Sequence, residues 1–155
     1  MPMAYPSIYD DATTLELFRR LDSLTAQTPG LWGKMSIAQM LKHCAIPYKA
    51  IMDNGNIKKG PWYIRIIAKL FFKKSMVNEV DYPHNLPTAK HFIIHDQPDF
   101  SSSRELLKNA IRESHAKGET FYEGRVHPWI GQLTAREWSN MLYKHLDHHL
   151  RQFGA

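Results

Sequence analysis

A single cysteine, Cys44, excludes an internal disulfide and any thiol-rich zinc site, and it fits a reducing compartment. There is no CxxC pair, no phosphate-cradling glycine loop and no Ser-His-Asp order, so common marks of redox, nucleotide and serine-hydrolase chemistry are missing. Long apolar runs are also lacking. The longest, Trp62 to Phe72, is interrupted by Arg65 and Lys69 and is shorter than the about 20 residues a bilayer span needs. The opening Met1-Pro2-Met3-Ala4-Tyr5-Pro6 has no basic stretch ahead of an apolar one, so no signal peptide is expected and a cytoplasmic location is. Internal repeats and low-complexity tracts are absent. The net charge of +5 favours anions in general, but no recognition-helix pattern or basic arm accompanies it, and nucleic-acid binding is not expected.

What is present reads as ordinary globular protein, with 43% apolar and 23% charged residues. The length suits one domain covering residues 1–155 and suffices for a real core. Nine histidines is a high count, and three of them fall at His145, His148 and His149.

Helical periodicity dominates. A first helix is expected over Ala12 to Gln27, with Asp10 or Asp11 as N-cap and Leu15, Phe18, Leu21 and Leu24 at three-residue spacing. Ser36 and Gln39 form a capping-box pattern that opens a second helix, running to about Asp53. Pro61 to about Lys74 forms a shorter helix, with Arg65, Lys69 and Lys73 as a basic stripe. From Val77 to Phe100, Pro83, Pro87 and Pro98 break the pattern into a long loop, in which only His91 to Ile94 has strand character. Ser101-Ser102-Ser103 caps a helix over Arg104 to Lys117, closed by Gly118. Glu123 to Gly131 is a tight connection. Thr134 and Glu137 form a second capping box, opening a last helix that ends at Phe153-Gly154.

On that last helix, at roughly 100° per residue, Trp138, Leu142, Leu146 and Phe153 mark a buried stripe. His145 and His149 lie one turn apart within it, and His148 lies off its edge beside Gln152. Two inward imidazoles at this spacing either hydrogen-bond in the core or make half of a metal site. His43 is the best third ligand; Pro47, four residues later, is expected to kink the helix and re-aim it. Cys44 points elsewhere and reads as core. His127 reads either as a pocket or as a turn histidine, while His84, His91, His95 and His115 lack ligand spacing and read as surface. Glu137 and Asp147 lie away from the His145/His149 face, so no general base stands out, and Tyr48 reads as core. Three neutral nitrogens with an open position suit catalytic zinc, nickel or iron.

A histidine in the second helix followed by a C-terminal helix bearing His-x-x-His-His resembles the DinB-like superfamily. The text His127-Pro128-Trp129-Ile130-Gly131-Gln132-Leu133-Thr134, then Glu137-Trp138, then Lys144 to Gly154 is similar to a subgroup known only as a domain of unknown function. The resemblance runs from about Trp32 to the C-terminus. It implies an all-α fold, an antiparallel four-helix bundle, here with an additional short basic helix and a long proline-containing loop. It also implies a divalent metal on His43, His145 and His149, a small-molecule substrate such as a low-molecular-weight thiol, and a homodimer. Relatives of this kind include thiol S-transferases, isomerases and metal-dependent hydrolases. The basic helix belongs to the subgroup, not to those enzymes, so no particular substrate carries over. The rival expectation is a non-catalytic binding module acting through that amphipathic helix. For the helix itself, a cover for the core or a dimer face is expected ahead of membrane contact.

Overall fold

The periodic apolar segments fold as helices in a computed structural model of the chain, which describes residues 5–52 and 60–155. In chain order these are α1 (Asp11–Asp22), α2 (Ile37–Met52), α3 (Trp62–Phe71), α4 (Lys73–Val77), α5 (Phe100–Tyr122) and α6 (Ala135–Gln152). The strands described are two of two residues each, β1 (Val126–His127) and β2 (Gly131–Gln132), paired antiparallel. The class is all-α.

Both capping boxes form. Ser36 N–H donates to Gln39 Oε1 at 3.0 Å while Gln39 N–H donates to Ser36 Oγ at 3.2 Å. Thr134 and Glu137 reciprocate in the same way at the head of α6, and each such box satisfies two amides that a helix start leaves open. Other boundaries move for local reasons. α1 begins after Asp10 but stops at Asp22, because the Ser23 hydroxyl takes the Arg20 carbonyl at 2.7 Å and Thr25 turns onto Thr28. α5 starts earlier than the serine run suggests, since Asp99 accepts the Ser102 amide at 2.8 Å. Its regular geometry closes at Gly118 as expected, where φ 69° and ψ 175° leave the helical range and kink the chain, and a short helical segment follows to Tyr122.

Two expectations need correcting. The Pro61–Lys74 helix is two helices, broken at Phe72, with Pro61 as the N-cap of α3. His91 to Ile94 forms no strand; Lys90–Phe92 is a single 3-10 turn. Helix α2 continues through Pro47 to Met52, and the end expected at Asp53 lies outside the described residues.

The core gathers Leu17 and Leu21 of α1, Met40, Leu41, Cys44 and Tyr48 of α2, Leu107 and Ile111 of α5, and Trp138, Leu142 and Leu146 of α6. A fully buried side chain of this size stabilises by roughly 1.5–3 kcal/mol. α2 packs most extensively on α5, and α6 closes against both. Cys44 is wholly buried in this core, as its helix position implied, and burial pushes its thiol pKa up. Helix α6 is covered on a further side by α4 and the loop behind it. Lys144 Nζ donates to the Ser75 carbonyl at 2.7 Å and Asn78 Oδ1 at 2.8 Å, and Asn140 donates to the Val77 carbonyl at 3.0 Å. No described helix is long and apolar enough to cross a membrane.

Candidate metal centre

Two helices and one loop carbonyl build the site. Mid-way along α2, His43 is buried at 4% exposure, so the inward direction that projection left on a shoulder is the one adopted. His145 and His149 project from α6 one turn apart toward it. The three ring centroids lie 4.8–4.9 Å from one another. One nitrogen from each lies within 4.8 Å of the others. The closest pair, His43 Nε2 and His145 Nε2, is 3.0 Å apart. With metal–nitrogen bonds of about 2.0–2.1 Å, tetrahedral ligands sit about 3.4 Å apart, so side-chain shifts of about an ångström would close the set on one ion.

The partners of these rings decide which nitrogens are free. His43 Nδ1 faces the Phe92 carbonyl at 2.9 Å and must donate, leaving the lone pair on Nε2. His149 Nδ1 donates to Gln152 Oε1 at 2.8 Å, and the amide is oriented by Gln152 Nε2 donating to the Trp32 carbonyl at 2.7 Å. Two of the three imidazoles thus hold their second nitrogen with an acceptor, as ligating histidines do. Burial also favours the neutral ring. It lowers the His43 pKa, brings His149 down to about 4 and holds His145 well below its usual value, where the neighbouring histidines add to the effect.

Gly33 completes this arrangement. At φ 79° it adopts a conformation that favours glycine, and a β-carbon there would lie 2.5 Å from Gln152 Nε2. Gly33→Ala is expected to push the Gln152 amide off Trp32 and so release His149 Nδ1. Loss of such a partner typically weakens metal affinity about 10–100-fold. Competition with a chromophoric chelator measures it, and an unchanged affinity would mean Gln152 does not orient the ligand.

Beside the triad, Trp32, Asp81, Tyr82, His84, His148 and Arg151 line a cleft of about 230 Å³. His84 stacks on Trp32 with ring centroids 3.7 Å apart, and His148 lies 5.2 Å from His149. His84 is exposed, as read from its spacing, yet it forms one wall of this cleft. Sequence spacing could not show that, because Trp32 and His84 are far apart in the chain. Gln152, three residues after His149, was within reach of helical spacing.

The remaining candidates have other work. Asp147 pairs with Arg20 and Arg151, each at 2.8 Å, and Glu137 serves its capping box and Lys73. Tyr48 is buried in the core at 1% exposure, and His115 meets Asp11 at 3.0 Å. His127 is a turn histidine: its Nδ1 accepts the amides of Trp129 and Ile130 at 3.2 and 3.3 Å, and its ring packs on Trp138. Burial brings its pKa down to about 4 from 6.5. Between those values the unfolded chain holds the proton and the folded chain does not, so stability is full above the upper value and is lost as pH falls through the window. His127→Gln is expected to flatten that loss by on the order of 1–3 kcal/mol. Urea midpoints at neutral and acidic pH test it; an unchanged slope would mean the imidazole's burial contributes nothing.

Over residues 9–155 the sequence matches the family described as "Protein of unknown function (DUF1569)". No curated protein and no solved structure matches the chain. The match takes in α1, His43 and the whole of α6, so the elements that build the histidine cluster all lie within it, and the chain belongs to the DUF1569 family.

Proposed function

We propose that this chain is a metal-dependent enzyme of the DinB-like type, holding a divalent zinc, nickel or iron ion on His43, His145 and His149. In this reading α1, α2, α5 and α6 are the antiparallel four-helix bundle, while α3, α4 and the loop after them are additions. The observation that carries the proposal is the outer ring of partners. The Phe92 carbonyl and the Gln152 amide hold two Nδ1–H groups, so that two Nε2 lone pairs turn to a common point beside His145. A bound divalent ion supplies Lewis acidity, which lowers the pKa of a water or thiol brought to it.

The protein's own contribution is to keep three imidazoles neutral, to fix two tautomers, and to place a small cleft with aromatic and charged walls next to His149. A low-molecular-weight thiol or a hydrolysable small molecule suits a cleft of that size. The test is elemental analysis of protein purified without chelator or polyhistidine tag, followed by a screen of thiols with electrophilic substrates. Protein that carries no ion and takes none up would sink the proposal. A second reading, a non-catalytic helical protein working through its basic amphipathic helix, draws its support from the exposure of α3 and predicts that metal-free outcome.

A further inference from the structure

Helix α3 offers the solvent a surface the fold does not use. Trp62, Leu70 and Phe71 are 71%, 70% and 72% exposed, Tyr63, Ile66 and Ile67 are at least half exposed, and no residue of the helix is buried. Soluble chains rarely leave so continuous an apolar patch open. Arg65 and Lys69 of the same helix border the β1–β2 hairpin, with Trp62 and Ile66 beside them, and Lys69 stays exposed. The Lys69 stem lies over Gly131, and Lys73, just beyond the helix, donates to the Gln132 carbonyl at 3.2 Å and meets Glu137 at 3.1 Å. Ala68 packs against the core, so α3 covers it there, but most of its apolar side chains stay open to solvent.

Charge identifies the occupant. Residues 54–78 contain six basic residues and no acidic one, while the rest of the chain has 14 basic against 15 acidic, so this segment carries the whole positive excess. A second copy seated on the same face would crowd two such segments together with no carboxylate between them. An anionic lipid surface complements both features, with an acyl boundary for the aromatic and aliphatic side chains and headgroup oxygens for the cations. Between α3 and the hairpin lies a cleft of about 260 Å³ lined by Trp62, Arg65, Ile66, Lys69, Trp129 and Gly131. Arg65 Nε is buried there with no acceptor among the described residues. We propose that α3 seats this chain on an anionic bilayer, with Leu70 and Phe71 at the acyl boundary and Arg65 and Lys69 on the headgroups.

Co-sedimentation with vesicles tests it. Phosphatidylcholine vesicles containing about 30% phosphatidylserine are expected to carry down the protein at low salt at least about tenfold more than phosphatidylcholine alone, with binding falling as salt rises. Leu70→Glu/Phe71→Glu is expected to abolish sedimentation while leaving circular dichroism and thermal melting unchanged, because both side chains are largely exposed. No sedimentation of the unsubstituted protein at low salt overturns the proposal. Equal sedimentation of the double variant does so as well, by reducing the effect to net charge. Light scattering without lipid covers the other occupant: a dimer that the double variant dissolves would assign the face to a second copy and overturn the lipid reading.

Discussion

Protein carrying His145→Ala is expected to retain no divalent metal where the unsubstituted chain retains about one ion. His145 is the ring the other two converge on, 3.0 Å from His43 Nε2 and one helical turn from His149. With it removed, two histidines from different helices remain, too few to hold an ion in a site built for three protein ligands. A stability readout runs alongside. Added metal at about 100 times its dissociation constant stabilises a folded chain by about 2.7 kcal/mol if only that state binds, so the unsubstituted protein is expected to melt higher with metal and the variant is not. Retention of stoichiometric metal by the variant would place the site elsewhere. An absence of metal from both proteins would leave the cluster as a hydrogen-bonded group in which His145 donates Nε2–H to His43.

Lys144→Ala is expected to cost about 2–4 kcal/mol of folding stability. A lysine at 2% exposure is unusual, and among the described residues this one makes no ion pair with a carboxylate. Its ammonium is held by the Ser75 carbonyl, by Asn78 Oδ1 and by the face of Tyr82, 4.2 Å away. Burial lowers its pKa to about 8. Truncation leaves those acceptors without a donor and opens a void between α6 and the segment after α4. Lys144→Met, which keeps the stem, is expected to lose about half as much. Chemical denaturation measures both, and a cost under about 0.5 kcal/mol for the alanine variant would mean that the loop is anchored by other contacts. Because Asp81 and Tyr82 follow directly, the same variant is expected to loosen one wall of the cleft beside His149.

Much of the helical framework was legible from local signals. The two capping boxes were visible because each is a four-residue interaction. The buried stripe of Trp138, Leu142, Leu146 and Phe153 was visible because 3.6-residue periodicity survives any tertiary context that buries one face. The one-turn spacing of His145 and His149 placed their rings together for the same reason, and Cys44 was legible as core from its separation around the helix. The C-terminus of α1 and the start of α5 were not, because a serine hydroxyl and an aspartate carboxylate competed for backbone groups that periodicity does not weigh.

Packing between distant segments decided the rest. His43 is inward because α2 lies against α6, and its tautomer is set by a carbonyl 49 residues away. His149 is held by Gln152, which depends on Trp32 and on a missing side chain at Gly33. Lys144 is buried although it is charged, because α4 and its loop cover a side of α6 that helical periodicity leaves open. The same apolar pattern that buries α6 leaves α3 facing water. Amphipathicity specifies that a helix has an apolar side, and only the positions of the other elements decide whether that side meets the core.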